Sequence, residues 1–495
     1  MRRTAISIVL CMGVAVALGG APDFDGDGVP DDLDCRPDDA SLWAPPAEPI
    51  DDLSVTRVGS VAVLDWSTPA DIGGDPGTER YDTYGTRVPD AFGHATGFCV
   101  DLDGGALTAS DDRALLSGEV AHYLVRVEND CGPGPIGTDP PPAEPRSLNY
   151  LVVDNTNDTG PGSLREAIGL AQSGDAICID ATGTITLSSG GLSVGERIAI
   201  VGPGSALLTL EADSSDYSVL GLGEMAACSG VTIDGNELTN YGVWMAGGTT
   251  LDSMTIRRSS SGVRHGDATL IPAAIRNSWI HDNWRGIESG GPLTITSSTI
   301  SNNQTGLLDY LGFSLVNLVS STVHSNNWGV YAAYTYGGMV TIESSTISGN
   351  VQGLRLGVSG YAILQSSTIS GNDYGLYNID GSGRIENTIM SNTADCYYYY
   401  EDDVYTSLGH NLFSDSSCDR AGAPGDQIDV DPLLGPLADN GGPTETHLPL
   451  IGSPVIDAGS CPDSTRDQRG LPRPFDDPAI SNVDDGCDIG ATEKQ

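Results

Sequence analysis

The sequence predicts an all-β protein whose main body is a right-handed parallel β-helix, preceded by an N-terminal β-sandwich domain. From about residue 230, an Ile or Val, an Asn three residues later and a Gly six residues later recur at steps of 20 to 24 residues. Ser or Thr alternates with Ile or Val around each recurrence, and 64 glycines favour turn-rich β structure over helix. A β-type pattern at this period is typical of one coil of a parallel β-helix. A leucine-rich repeat has a similar period, but its LxxLxL signature is missing.

The first residues, 1–20, have the pattern of a signal peptide. Arg2 and Arg3 precede an apolar stretch from Ala5 to Leu18, and small residues follow it. About fourteen apolar residues are too few to span a bilayer. The sequence shows no second apolar span, so we expect a secreted, extracellular or cell-surface protein without a membrane span.

The charge balance excludes one class of partner. The chain carries 23 basic and 67 acidic residues, a formal net charge of −44. Binding of nucleic acid needs Lys and Arg against phosphate, so nucleic acid is not an expected partner. Such a chain suits divalent cations, although a solvated, solubilising surface is the better explanation for most of the carboxylates.

An acidic loop, DFDGDGVPDDLD at residues 23–34, predicts a calcium site within the segment 21–47. Carboxylates alternate along it, Gly28 permits a sharp turn and an Asp closes it, which is the EF-hand ligand spacing. The predicted Ca²⁺ ligands are Asp23, Asp25, Asp27, the backbone carbonyl of Val29, Asp31 and Asp34. The loop resembles the thrombospondin type 3 repeats of secreted proteins, and the alternative interpretation is an acidic leader without a metal.

Residues 48–146 predict the small β-sandwich. The runs SVAVLDW at 60–66 and HYLVRVEN at 122–129 alternate with period two and are separated by turn residues. The segment resembles a fibronectin type III domain, and such domains space or present other domains. We therefore assign no chemistry to it.

The β-helix is predicted over residues 148–425. The aliphatic anchors should point inward and stack coil on coil, each Asn should bond backbone amides of the next coil from a sharp bend, and the Gly should let the chain leave that bend. Ser163 and Glu166 form a capping box before a short amphipathic helix that should close the open end of the stack. The predicted anchors are Ile233, Ile256, Ile280, Ile300, Val323, Ile347, Ile369 and Ile389.

The cysteines permit several disulfides, since an exported chain meets oxidising conditions. Three pairs are close in sequence, a fourth pair requires neighbouring coils, and Cys35 is left over. The pairs are Cys99 with Cys131, Cys396 with Cys418, Cys461 with Cys487, and Cys178 with Cys228.

Both ends of the predicted β-helix carry family motifs. GSLREAI at 162–168 opens it, and DPLLGPLADNGGPT at 431–444, GSPVIDAG at 452–459, DQRG at 467–470 and CDIGATE at 487–493 close it. Over residues 148–493 the chain resembles choice-of-anchor Q domain proteins. The resemblance implies a pectin-lyase-like β-helix whose C-terminal capping region spans 426–495, and it implies no activity.

Two clusters are candidates for catalysis, since the same fold carries polysaccharide lyases and hydrolases. Arg264, His265 and Asp267 form one, and His281, Asp282 and Arg285 form the other. An acid, a base and a cation would converge if the two clusters shared a face. Such residues also occur as ordinary solvent-facing side chains of coils.

Three functions remain open at this stage. The favoured one is a secreted or cell-surface, non-catalytic structural or adhesive protein with a calcium-stabilised N-terminal segment and an extracellular glycan as partner. The alternative is an extracellular polysaccharide lyase or hydrolase, and the third is a calcium-dependent binder of acidic glycans. Exposed tyrosines at Tyr397–Tyr400 suit contact with carbohydrate, although a disulfide-braced loop is the simpler explanation.

Overall fold

The structure is a computed structural model, and it describes fourteen segments of the chain. These are residues 53–58, 61–69, 79–86, 97–104, 106–111, 122–129, 132–133, 150–266, 271–310, 315–333, 339–400, 404–418, 422–461 and 466–495. The signal peptide, the acidic loop with all its Ca²⁺ ligands, Cys35, Cys131 and Asp267 lie outside these residues.

The N-terminal part of the chain contains two small sheets. One is formed by Ser54–Val58, Val61–Asp65 and Thr108–Asp111, which pair antiparallel. The other is formed by Gly97–Gly104, Arg80–Thr86, His122–Asn129 and Gly132–Pro133. Trp66 and Tyr81 are buried with ring centroids 5.6 Å apart. The likeness to fibronectin type III domains stays a prediction.

The described residues between 150 and 428 form the predicted right-handed parallel β-helix. A complete coil contributes one strand to each of three parallel sheets, which we number 1 to 3 in the order in which the chain visits them. Sheet 1 consists of Tyr150–Val153, Ala176–Ile179, Ala199–Val201, Ala227–Ser229, Thr250–Asp252, Ala273–Arg276, Leu293–Thr296, Leu315–Val319, Met339–Glu343, Tyr361–Gln365, Ser382–Glu386 and Val404–Gly409. Sheet 2 consists of Gly183–Leu187, Leu208–Ala212, Thr232–Asp234, Thr255–Arg257, Trp279–His281, Thr299–Ser301, Thr322–His324, Thr346–Ser348, Thr368–Ser370, Ile389–Ser391, Leu412–Phe413 and Gln427–Ile428. Sheet 3 consists of Leu192–Val194, Ser218–Leu222, Tyr241–Met245, Ser261–His265, Arg285–Ser289, Thr305–Asp309, Trp328–Ala332, Gln352–Leu356, Tyr374–Asn378 and Ala394–Tyr398.

The aliphatic anchors stack inside the coil, as the period predicts. Ile233, Ile256, Ile280 and Ile300 pair in register on successive strands of sheet 2, and each is 0% exposed. The last anchor is one position off, because Met390, and not Ile389, pairs with Ile369. Burying each such side chain contributes about 1.5–3 kcal/mol, so the column supplies much of the stability of the stack.

The asparagines form a buried ladder at the bend between sheets 2 and 3. The Oδ1 of Asn303 accepts a hydrogen bond from the Asn283 N–H at 2.9 Å, and the Oδ1 of Asn326 accepts one from the Asn303 N–H at 2.8 Å. The ladder continues through Asn350 and Asn372. Each side chain therefore bonds the amide of the preceding coil, where the sequence predicted the next one.

The recurrent glycines have a different role from the one predicted. Their backbones do not adopt the left-handed conformation, so no turn requires them. At Gly306 an added Cβ would lie 2.5 Å from the carbonyl oxygen of Gly329 in the next coil. A side chain would force the coils apart, and close approach of coils is therefore what selects glycine here.

Each end of the stack carries its own covering element. The helix Leu164–Leu170 begins after Ser163, whose side chain accepts from the Glu166 N–H, while Glu166 accepts from the Gly162 N–H. The Ser163 half of the predicted capping box is confirmed, whereas Glu166 bonds the residue before the N-cap. Leu164 and Ala167 pack into the core. At the other end, residues 431–461 and 466–493 fold back over the outer face of sheet 2. The Thr322 hydroxyl donates to the Glu445 carbonyl at 2.6 Å.

Two of the predicted disulfides are present, Cys396–Cys418 and Cys461–Cys487. The pair Cys178 with Cys228 is wrong, because Cys228 is a free, buried thiol. The strand Ala199–Val201 lies between the two cysteines, so they are about 9.6 Å apart along the stack, too far for a disulfide.

Candidate functional site

The histidines of the two predicted catalytic clusters do not meet. His265 ends a strand of sheet 3 and His281 ends a strand of sheet 2, so they lie on different faces. Their separation of sixteen residues is about two thirds of a coil, since the residue that pairs with His265 one coil later is Ser289. The condition under which an acid, a base and a cation would converge is therefore not met by these two histidines.

His265 is enclosed within the coil. Its side chain is 0% exposed, and its Nδ1 lies 3.2 Å from the Oγ of Ser289 on the next strand. Asp309 is the following member of the same column and is equally buried. A Ser, a His and an Asp thus occur together, but no substrate reaches them, and the column is a buried polar part of the core.

The remaining predicted residues are engaged in local pairs. Asp282 is exposed and pairs with Nδ1 of His281 at 2.7 Å. Arg285 pairs with Glu288, and Arg264 pairs with the other oxygen of Glu288 at 2.9 Å. The sequence analysis missed Glu288, although the step of one coil from Arg264 points to it.

The outer face of sheet 3 carries a band of aromatic and arginine side chains. One column, in register over four coils, runs Tyr331, Arg355, Tyr377 and Tyr397. The guanidinium of Arg355 lies 5.0 Å from the ring centroid of Tyr331 and 5.2 Å from that of Tyr377. Tyr377 stacks on Tyr397 with centroids 4.7 Å apart. We call this column, with the flanking Trp328 and Tyr374, the aromatic–arginine band.

Arg355 stands out within the band, because it has no carboxylate partner among the residues that the structure describes. It donates to the Gln352 amide oxygen at 2.8 Å, and its guanidinium also lies 4.6 Å from the Trp328 ring centroid. Contact with aromatic faces stabilises a cation by about 0.5–2 kcal/mol. In a chain with a net charge of −44, such an arginine is free to meet an anionic or hydroxylated ligand.

A second feature is an open groove on the outer face of sheet 2, with a volume of about 240 Å³. Trp279 lies in it and is 47% exposed. The indole Nε1 donates to the Ser301 hydroxyl at 2.9 Å, and the ring stacks on His281 with centroids 3.9 Å apart. The other lining residues are Ser205, Met254, Thr255, Asn277, Ser278, Ser297, Thr299 and Pro443.

A cluster of charged side chains lies where two adjacent strands of sheet 2 end, and its charges neutralise one another. Asp234 accepts from Arg257 at 2.9 Å and from Arg258 at 2.5 Å. Burial opposes ionisation of Asp234, but hydrogen bonds from Arg258 outweigh it and hold the pKa of that carboxyl below its usual value. Both arginines are therefore already paired with Asp234.

The acidic groups of the C-terminal region surround a buried arginine. Arg473 and Glu493 pair at 2.8 Å, and both side chains are fully buried. Burial raises the pKa of Glu493 to about 7 and that of Asp488 to about 6. Cys461, Cys487 and Glu493 lie close enough to hold a metal, but the cysteines form a disulfide, so this cluster braces the fold.

Comparison with family models agrees with this architecture. Residues 217–356 match the family model described as right handed beta helix region. Among solved structures, pectate lyase Pel9A is 14% identical with a TM-score of 0.45, and the match covers 70% of this chain and 97% of that one. The mannuronan C-5 epimerase AlgE4 A-module of Azotobacter vinelandii is 12% identical at a TM-score of 0.41, with 57% and 95% covered. The polygalacturonase of Erwinia carotovora is 11% identical at 0.33, with 55% and 100% covered.

These likenesses say nothing about activity at such identities and TM-scores. No curated protein matches the sequence. In the described segments, no helix is long and apolar enough to cross a membrane. The chain therefore carries a right-handed β-helix region whose function has to be argued from its own surfaces.

Proposed function

We propose that the protein is a secreted or cell-surface, non-catalytic adhesive β-helix that binds extracellular glycan through the aromatic–arginine band. The observation that carries the proposal is the register of the band. Coil after coil presents an aromatic ring or an arginine at the same outward position of sheet 3, from Tyr331 to Tyr397. Successive members are about 4.8 Å apart, so the band is a linear surface for a linear polymer.

The chemistry of the band suits sugar. Tyrosine and tryptophan offer an apolar ring beside a polar group, and sugars present C–H faces beside hydroxyls. Arg355 adds donors that reach hydroxyl or carboxylate oxygens. Tyr397 is 39% exposed and extends the band toward Tyr399 and Tyr400, which are more exposed still.

The arrangement of titratable groups supports a non-catalytic role. A general base has to lie within hydrogen-bond reach of the bound substrate. His265 is buried in the core, and His281 lies under Trp279 on another sheet. Glu288, the carboxylate nearest to the band in register, is held by Arg264 and Arg285.

Calcium enters the proposal through the acidic loop at residues 23–34. Carboxylates with the EF-hand spacing support a stabilising Ca²⁺ there. Calorimetric titration of the purified protein should show a site that is lost in Asp25→Ala, and an unchanged titration in that variant refutes it.

The function is tested by binding of the full-length protein to immobilised polysaccharides, neutral and acidic, with and without a chelator. Arg355→Ala and Tyr377→Ala should each weaken binding at least tenfold. Tyr361→Ala, which removes a half-buried outward tyrosine from sheet 1, should bind as the wild type does. Release of unsaturated or reducing sugar ends in the same samples would favour the polysaccharide lyase or hydrolase, and equal binding by all variants would reject the band.

A further inference from the structure

The groove around Trp279 lies on sheet 2 and is independent of the aromatic–arginine band on sheet 3. One column of sheet 2 points outward, and from Thr209 to Thr368 it is threonine in every coil but one. Its members in register are Thr209, Thr232, Thr255, Trp279, Thr299, Thr322, Thr346 and Thr368. Within this stretch, a large side chain thus takes the place of a threonine at one coil only.

Several threonines of the column are covered by other parts of the chain. Toward the C-terminus, Thr322 donates to Glu445 and Thr346 donates to Gln468, and the Ala491 N–H donates to Thr368. These threonines are buried, at 0–1% exposed.

The covering ends on both sides of Trp279. Toward the N-terminus, Thr232 donates to the Ser205 carbonyl at 2.6 Å. Ser205 and Pro443 both line the groove, so they mark its two ends. Only the coils of Thr255, Trp279 and Thr299 are left open between them, a span of about 10 Å.

Trp279 is held in a fixed orientation but is not buried. Its Nε1 donates to the Ser301 hydroxyl, and one face of its ring stacks on His281. Nearly half of the side chain remains exposed. An indole that served only to pack would be covered, whereas this one presents an oriented aromatic face to the groove.

Several polar groups that line the groove can still form hydrogen bonds with a ligand. Thr255 precedes Trp279 by one coil in register and Thr299 follows it by one coil. Both are half-buried, and neither hydroxyl has a hydrogen-bond partner within the described segments. The side-chain amide of Asn277 donates to Asp252 at 3.0 Å, which leaves its oxygen available to a ligand.

The lining contains no charged side chain, which excludes an anion as the matched ligand. An open volume of about 240 Å³ lies below the roughly 300–1,000 Å³ of pockets for drug-sized molecules, so it fits one or two sugar rings and not a long chain. The C–H groups of a neutral hexopyranose pack on the negative face of an indole, and its hydroxyls pair with the flanking threonines.

From this arrangement we infer that the Trp279 groove is a binding site for one or two residues of a neutral sugar. Trp279 supplies the stacking platform, and Thr255, Thr299 and Asn277 supply polar contacts. The site is separate from the band, so a glycan held by the band and a sugar in the groove bind independently.

The test is saturation-transfer NMR and calorimetry of the full-length protein with cellohexaose, xylohexaose, mannohexaose and maltohexaose. We expect at least one probe to bind in about the millimolar range, as befits so small a contact. Trp279→Ala should lower the affinity for that probe at least tenfold, and Trp279→Phe should lower it less because an aromatic ring remains.

Trp284→Ala is the matched control, because Trp284 is 60% exposed, five residues away and outside the groove. It should leave the affinity unchanged. Failure of all four probes to bind the wild type, or an equal loss in both alanine variants, overturns the inference. Polysaccharide binding measured with Arg355→Ala reports on the band alone. A groove that binds no sugar is therefore distinguished from a band that binds no glycan.

Discussion

Truncation of one rung of the asparagine ladder, Asn326→Ala, tests the architecture most directly. The Oδ1 of Asn326 accepts from the backbone N–H of Asn303 at 2.8 Å and from its side chain at 3.1 Å. The Nδ2 donates to the carbonyls of Ile300 and His324 and to Asn350 Oδ1 at 2.9–3.1 Å. The residue is 3% exposed, so water does not replace these bonds.

The expected cost follows from the groups left behind. A buried donor or acceptor without a partner costs about 1–3 kcal/mol, and the Asn303 amide loses its acceptor outright. The other partners retain some bonding, since Asn350 Oδ1 still accepts from the Asn326 N–H. We therefore expect Asn326→Ala to lower the free energy of unfolding by about 3–5 kcal/mol.

Urea unfolding of the full-length protein, followed by circular dichroism, measures this loss. Asn327→Ala is the matched control, because the neighbouring side chain lies at the same bend but is half-buried and outside the ladder. The control should change the free energy of unfolding by less than about 0.5 kcal/mol. If the two variants lose equal stability, the ladder does not hold the coils together in the way that its geometry indicates.

Three further predictions use the same unfolding measurement. Gly306→Ala should cost about 1–3 kcal/mol because the new Cβ meets the Gly329 carbonyl oxygen at 2.5 Å, and a wild-type midpoint would contradict close packing of the coils. Burial and the nearby Asp415 raise the pKa of Asp395 to about 6 in the folded protein, above its usual 3.8. The contribution of Asp395 to the free energy of unfolding is therefore complete at low pH and is lost, by about 3 kcal/mol, as the pH rises through 6. Asp395→Asn should flatten this pH dependence, and an unchanged slope would refute the assignment. Replacing Cys396 and Cys418 together by serine should cost about 2–4 kcal/mol by freeing a loop of 22 residues, and no change in midpoint would show that the loop is held by other contacts.

The coil period was visible in the sequence because three residue types with different physical roles recur together. An aliphatic anchor fills the interior, an asparagine bonds between coils and a glycine permits close approach. The exception at Ile389 has a physical reason as well, because Met390 fills the interior position there. Pattern alone does not distinguish two adjacent apolar residues.

The candidate sites were harder to predict, for two reasons. His265 and His281 were compared at a spacing of sixteen residues, whereas residues above one another in these coils are 20 to 24 apart. Trp279 did have a usable signal, since it directly precedes the anchor Ile280 and so pairs with Thr255 and Thr299. The cover over the remaining threonines joins residues more than a hundred positions apart, and no local pattern shows such contacts.

The cover over sheet 2 also has a mechanical consequence. Coils joined only to their neighbours would peel away one at a time under tension along the axis. Bonds from Glu445, Gln468 and Ala491 instead reach Thr322, Thr346 and Thr368 in three successive coils, so these bonds share the load. In single-molecule pulling, we expect the coils from residue 322 onward to rupture as one block, while those before it unravel stepwise.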